Sequence, residues 1–137
     1  MTSDHRPSYA PLFDGAPYAY GAVAPAGATL FTAGACPIDE HGIVIAANDH
    51  AGQARAALAN LLVLLDAHGA GPEHLVRTTV YVVGTREDLA TAWTAIVEAL
   101  SPHQPPSTLL GVSVLGYPNQ LVEIDAVAAL ADPISRS

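Results

Sequence analysis

The sequence predicts an α+β domain in which a mixed β-sheet carries two helices on one face. Two observations lead to this fold class. Two long stretches place apolar residues at three- and four-residue spacing, and several shorter β-favouring runs lie around them. The predicted order is β-β-α-β-α-β-β, with a hairpin at each end. Helices that interrupt strands in this way and pack on one face of the sheet form an α+β layer pair.

The length and composition predict a single domain that covers part of its surface with copies of itself. The chain has 137 residues, of which 50% are hydrophobic and only 13% are charged. We expect one domain over residues 1–137, with residues 1–15 as a loose N-terminal arm. A two-layer domain leaves the second face of its sheet open, and an oligomer would cover that face.

The N-terminal third predicts short strands separated by turns. Residues 9–13 favour a short edge strand within the arm. The runs YAYGAVA at 18–24 and TLFTAGA at 29–35 favour two strands, joined by a turn with the sequence PAGA. Residues 37–47 are predicted to connect this hairpin to the first helix.

The first helix is the clearest element of the chain. It is predicted to run from Asn48 or Asp49 to His68, with either of the first two as its N-cap and Gly69 just beyond its end. Its apolar stripe consists of Ala54, Leu58, Leu61, Leu62 and Leu65.

A strand, a second helix and two further strands follow. The strand is predicted at 75–83, where valines alternate with polar side chains. Thr85 should then cap a helix over 86–100, and the loop SPHQPP should end it. Strands are predicted at 107–115 and 121–128, paired as a hairpin through the turn GYPN.

Charge and motif patterns exclude several function classes. The net charge is −8 and the chain contains no lysine, so neither nucleic acid nor an anionic membrane is an expected partner. Cys36 is the single cysteine, which excludes an internal disulfide and fits a reducing cytoplasm. The six histidines follow no metal-ligand spacing, and no nucleotide-binding or hydrolase motif is present. No apolar run is long enough for a membrane span. We also expect no cofactor.

Three groups of side chains are candidates for chemistry. Glu123 and Asp125 share one face of an apolar strand. They are either solvent-exposed acids, which is the commoner case, or general acid/base groups in a cleft. Tyr18 and Tyr20 either pack with satisfied hydroxyls or donate to a ligand. Cys36 is more often a small apolar residue than a nucleophile in such a setting.

Several segments resemble, in order and spacing, the RidA (YjgF/YER057c/UK114) family. They are APYAYG, LFTAGACPID, the long helix, VRTTVYVVGTREDLATAW, PPSTLLGV and LVEIDAVA, and they cover residues 16–128. The resemblance implies a chorismate-mutase-like fold and a homotrimer whose three sheets form a central barrel. Ligand clefts would lie between subunits. Archetypal members of this family hydrolyse reactive enamines and imines, such as 2-aminoacrylate, to keto acids and ammonia.

The resemblance also implies roles for individual residues. The tyrosine of the family's cleft corresponds to Tyr18, and its glutamate, which positions a water or moves a proton, corresponds to Glu123. The cleft serine corresponds to Ala33, so that hydroxyl is missing here. An asparagine common on the second helix corresponds to Trp93.

The family's substrate-gripping arginine is missing as well. Its position corresponds to Ser107, which is followed by a matching Thr108. A serine cannot form the bidentate, charge-assisted pair that an arginine makes with a carboxylate. Arg77 is the nearest internal candidate, and its strand position gives no reason to place it in the cleft.

These comparisons lead to one leading expectation and two alternatives. We expect a trimeric enzyme that hydrolyses or tautomerises a small reactive enamine or imine without a carboxylate. Glu123 would be the general acid/base and Tyr18 would orient the substrate. Neutral hydrogen bonds would come from Ser107 and Thr108, while Trp93, Ala33 and Cys36 would line the pocket. The alternatives are a non-catalytic ligand-binding or protein-partner module on the same scaffold, and a purely structural trimer.

Overall fold

A computed structural model describes residues 9–130 and confirms the predicted α+β fold class. Four strands form one sheet, and two helices pack against it. The strands are β1 Thr29–Phe31, β2 Leu75–Val82, β3 Ser107–Gly111 and β4 Val122–Ala129; the helices are α1 His50–Ala67 and α2 Arg86–Leu100, with a short 3-10 turn at Pro72–His74.

Both helices begin at the capping side chains that the sequence supplies. Asp49, and not Asn48, is the N-cap of α1: its Oδ1 accepts from the Gly52 backbone N–H at 2.8 Å. Thr85 and Asp88 form a reciprocal capping box at the start of α2. Local sequence signals therefore fixed the helix starts correctly.

The sheet order is β1-β4-β2-β3, and the two predicted hairpins are wrong. Strand β3 pairs parallel with β2, while β4 pairs antiparallel with both β2 and β1. Parallel strands need a long crossover, and α2 provides it between β2 and β3. Residues 112–121 then lead from β3, at one edge of the sheet, to β4 in its interior.

Two of the predicted N-terminal strands are also wrong. Residues 9–13 form a turn and residues 18–24 an irregular segment, of which 20–24 are exposed. Their β-favouring side chains pair with no strand among the described residues, although β1 leaves one edge of the sheet open. The second predicted strand is shorter than expected, since β1 ends at Phe31 and only an isolated bridge at Ala35 continues the pairing.

The core lies between the helices and one face of the sheet. Alternate residues of β4 are fully buried on this face, together with the apolar stripe of α1. The main buried side chains are Leu58, Leu61, Leu65, Ile96, Val80, Val82, Val122 and Ile124. The two helices therefore share one face of the sheet, as predicted, and the opposite face, which we call the open face, has no covering layer within the described residues.

None of the helices in the described part of the chain is long and apolar enough to cross a membrane.

Candidate functional site

The open face of the sheet carries the ionisable residues of β4. Strand register places Glu123 directly across from Tyr81, and Asp125 across from Thr79. The Tyr81 hydroxyl donates to Asp125 Oδ2 at 2.8 Å. As the acceptor, Asp125 raises the pKa of Tyr81, and burial adds to the effect. Asp125 is thus engaged within the sheet through Oδ2, and Glu123 remains the predicted acid/base group.

Glu123 is half-buried and held through one of its two oxygens. Oε1 accepts from the Gln120 side-chain amide at 3.2 Å and from the Cys36 thiol at 3.4 Å. Oε2 accepts no hydrogen bond from the described residues. The carboxylate lies against Gly34, where a Cβ atom would overlap it. The absence of a side chain at this glycine therefore makes the space that Glu123 occupies.

The Cys36 thiol is protonated at neutral pH. Burial raises its pKa above the ordinary value, and the hydrogen bond and charge of Glu123 raise it further. A cysteine nucleophile needs the thiolate, which this environment disfavours. Cys36 therefore acts here as a hydrogen-bond donor to Glu123, and its predicted role in lining a pocket remains a prediction.

Tyr18 and Trp93 form a second, aromatic group. Their ring centroids lie 6.3 Å apart in an edge-to-face arrangement, and Tyr20 packs edge-on against Tyr18 at 5.7 Å. The Ala19 backbone N–H donates to the Gln104 carbonyl at 2.9 Å, which ties this segment to the loop before β3. Trp93 packs against the core from α2.

Ser107 and Thr108 point to opposite faces of the sheet. Ser107 is in register with Thr78 and Thr108 with Thr79, so only Thr108 shares the open face with Glu123. The Ser107 hydroxyl bonds to the hydroxyl of buried Thr78 and donates to the Pro105 carbonyl at 3.1 Å. It closes the loop onto the start of β3, and Thr108 is the better placed of the two to meet a ligand on the open face.

The predicted site residues thus fall into two groups. Among the described residues, no hydrogen bond or ring contact joins Tyr18 or Trp93 to Glu123 or Cys36. Ala33 is exposed at the edge of the Glu123 group, next to Gly34. The cleft between subunits that would unite the groups remains a prediction.

Sequence reasoning missed the polar residues that hold Glu123. Gln120 is only 4% exposed, although it lies in a turn-like sequence that is typical of solvated loops. Gln53 is fully buried on α1 and bonds to the backbone of the same loop at Asn119 and Leu121. A glutamine within the apolar face of a helix was the one available signal, since a buried amide must find partners.

No metal centre is formed by the described residues: within 9–130 no three histidine, cysteine, aspartate or glutamate side chains come close enough to share an ion.

The fold and the site together define a class: a small α+β domain with two helices on one face of a mixed sheet and a candidate acid/base carboxylate on the other. The family model described as Endoribonuclease L-PSP matches residues 13–130, and the chain belongs to that family. This confirms the resemblance to RidA and YjgF proteins seen in the sequence.

Solved structures from bacteria match most of the chain. A Rid-family protein of unknown function from Yersinia pestis, YyfB, is 30% identical with a TM-score of 0.77, covering 83% of this chain and 87% of that one. The YjgF gene product of E. coli is 30% identical with a TM-score of 0.66, covering 82% and 87%. E. coli TdcF, solved with bound serine, is 25% identical with a TM-score of 0.68, covering 85% and 96%. No curated protein matches the chain significantly.

Proposed function

We propose that this protein hydrolyses a small, reactive enamine or imine that carries no carboxylate, as a cytoplasmic homotrimer. The observation that carries the proposal is the Glu123 carboxylate, fixed through Oε1 by Gln120 and Cys36 with Oε2 unbonded. A carboxylate held in one orientation and half-removed from water suits general acid/base catalysis. Family membership supports small-molecule chemistry of this kind.

The proposed reaction uses Glu123 as a proton shuttle. Oε2 takes a proton from water while the water oxygen bonds to the imine carbon, and this proton then passes from Glu123 to the imine nitrogen. In the resulting carbinolamine, Glu123 takes the hydroxyl proton and delivers it to the amine nitrogen as the C–N bond breaks and the carbonyl forms, so that the amine leaves neutral. For an enamine, protonation of its β-carbon first gives the imine. Glu123 is regenerated at the end, so no cofactor is required.

The chemistry around Ser107 supports a substrate without a carboxylate. Its hydroxyl is already bonded to Thr78 and Pro105, and a neutral hydroxyl cannot replace a guanidinium fork. TdcF was solved with bound serine, an amino acid that carries a carboxylate. The proposal is therefore tested by comparing how fast this protein turns over ligands with a carboxylate and ligands without a charge.

An RNA substrate, which the family description suggests, fits the charge poorly. The chain has a net charge of −8, and only five basic residues other than histidine. Binding a phosphate backbone relies on several lysines or arginines that displace counterions. The acidic surface therefore supports a small uncharged ligand over RNA.

The test compares two imines generated in situ that differ only in a carboxylate or a carboxamide. A charge-assisted pair contributes about 1.5–3 kcal/mol, so without it the carboxylate loses a roughly 10- to 150-fold advantage, and kcat/KM for the carboxamide should equal or exceed that for the carboxylate. Glu123→Gln should abolish turnover, whereas Glu98→Gln, an exposed glutamate on α2, should leave it unchanged. Efficient turnover of 2-aminoacrylate would remove the restriction to uncharged substrates, and full activity of Glu123→Gln would remove Glu123 from the mechanism.

A non-catalytic binding module is the second candidate. It is favoured by the internal use of the Ser107 hydroxyl and by the alanine at position 33, which together remove two polar groups from the proposed ligand site. A metabolite retained through purification, with no turnover of either imine, would support this candidate.

A further inference from the structure

Gln120 is a buried side chain with every polar atom engaged. Its Oε1 accepts from the Tyr117 backbone N–H at 3.1 Å. Its Nε2 donates to the Val122 carbonyl at 3.1 Å and to Glu123 Oε1 at 3.2 Å. One amide thus joins the turn before β4 to the candidate catalytic carboxylate on β4.

The turn itself is fixed to the helix layer by a second amide. Gln53 on α1 accepts from the Leu121 N–H at 2.6 Å and donates to the Asn119 carbonyl at 3.0 Å. Gln120 lies between these two anchored residues. Its position relative to β4 is therefore set by the core of the protein and not by the exposed loop that contains it.

The two oxygens of Glu123 have different surroundings as a result. Oε1 is held by Gln120 and Cys36, and Oε2 lies over Gly34 without a partner in the described chain. We propose that Gln120 is a positioning residue that fixes Oε1 of Glu123 and thereby presents Oε2 as the oxygen that exchanges protons with the ligand. This inference rests on the proposed function of Glu123.

Cys36 provides a reporter of this arrangement that does not depend on catalysis. It is the single cysteine of the chain, so its titration gives one unambiguous signal. Glu123 raises the pKa of the thiol, whereas the Gln120 amide lowers it. The other ionisable groups that β2 and β4 place on this face are Tyr81, across from Glu123, Asp125, which is bonded to Tyr81, and the exposed Arg77, across from Val127.

Glu123 and Gln120 shift the thiol pKa of Cys36 in opposite directions, so the direction of the pKa change in a Gln120 variant distinguishes two explanations. If Gln120 holds Glu123 against the thiol, its removal frees the carboxylate and the thiol pKa falls. If Gln120 acts only on the thiol, its removal raises the pKa or leaves it unchanged.

The experiment follows the rate at which iodoacetamide alkylates Cys36 in the whole protein as a function of pH, since only the thiolate reacts. Glu123→Gln calibrates the shift expected when the carboxylate charge is lost, and its thiol pKa should fall. In Gln120→Met we expect a fall in the same direction, by roughly half a pH unit or more. Gln104→Met, the same change at an exposed glutamine, should not shift the pKa.

Gln120→Asn is a second variant that keeps the test valid if Gln120→Met does not fold. Its amide is one methylene shorter, stays polar in the turn and no longer reaches Glu123, so it should shift the thiol pKa downward as well. A rise, or no change, in a folded Gln120 variant would overturn the positioning role.

Kinetics on the uncharged imine then separate this inference from the proposed function. A misplaced base should lower kcat by about 10- to 100-fold with little change in KM. A downward thiol shift in a protein that turns over no imine would refute the proposed function and keep the positioning role. Normal kcat together with an unshifted thiol would refute the positioning role and keep the proposed function.

Discussion

Replacement of Gln53 by leucine should destabilise the protein far more than a surface change, because it breaks the link between α1 and the turn before β4. Gln53 is fully buried and makes three hydrogen bonds, to Leu121 N at 2.6 Å, Asn119 O at 3.0 Å and Ala46 O at 3.4 Å. Leucine preserves most of the volume and leaves these backbone groups without a partner. Each buried backbone group that is left unpaired costs about 1–3 kcal/mol. Asn119 is exposed, so water can replace the lost partner of its carbonyl and reduce the total cost. The net loss should be about 2–3 kcal/mol.

Urea and thermal unfolding of the two proteins at equal concentration measure this loss, since any assembly makes stability concentration-dependent. A loss of 2–3 kcal/mol corresponds to a fall in Tm of roughly 6–12 °C for a chain of this size. Gln104→Leu is the matched control and should stay within about 0.5 kcal/mol of the unmodified protein. If Gln53→Leu also stays within that range, with the same dependence on urea, the buried amide does not anchor the turn.

Three further predictions concern capping, the start of β3 and alkaline pH. Thr85→Ala should lower the free energy of unfolding by about 1 kcal/mol through loss of the α2 cap, while Thr91→Ala, exposed within the same helix, should not. Ser107→Ala should cost about 1–2 kcal/mol, because the buried Thr78 hydroxyl loses its partner; a change confined to KM, with stability intact, would contradict this structural role. The raised pKa of Cys36 means that its contribution to stability is complete below its ordinary value of 9.0 and is lost as the pH rises through the folded pKa. Cys36→Ala should therefore reduce the loss of stability seen in alkaline melts, and an unchanged pH dependence would contradict it.

The helices were predictable because their signals are local. Asp49, Thr85 and the apolar stripe of α1 act within one or two helical turns of themselves. Strand pairing was not predictable in the same way, because it depends on contacts between distant segments. The turn GYPN between two apolar runs is typical of a hairpin, yet β4 pairs with β1 and β2, and the alternation that buries one of its faces fits an interior strand equally well.

In the candidate site, too, local sequence patterns were predictive, whereas contacts between residues far apart in the sequence were not predictable. Period-2 alternation alone placed Glu123 and Asp125 on one face of their strand, and the structure agrees. Asp125 is held by Tyr81, 44 residues away in the sequence, and Glu123 is held in part by Cys36, 87 residues away. The sequence shows that these side chains exist, but only the register of the sheet brings them together.

The start of β3 is an ordered strand entry with a serine at the position where the resemblance implies an arginine. Ser107 bonds to the Thr78 hydroxyl and the Pro105 carbonyl, and Thr78 N–H donates to the Pro106 carbonyl at 2.9 Å. An arginine at this position could not make the same short contacts, because its donors lie at the end of a long side chain and it has no acceptor. Ser107 therefore closes its own loop onto the start of β3. Glu123 and its partners occupy the other face of the sheet. The proton transfers proposed for Glu123 therefore do not depend on the residue at position 107, and Arg77, which lies across from Val127, is the basic side chain that β2 contributes to the open face.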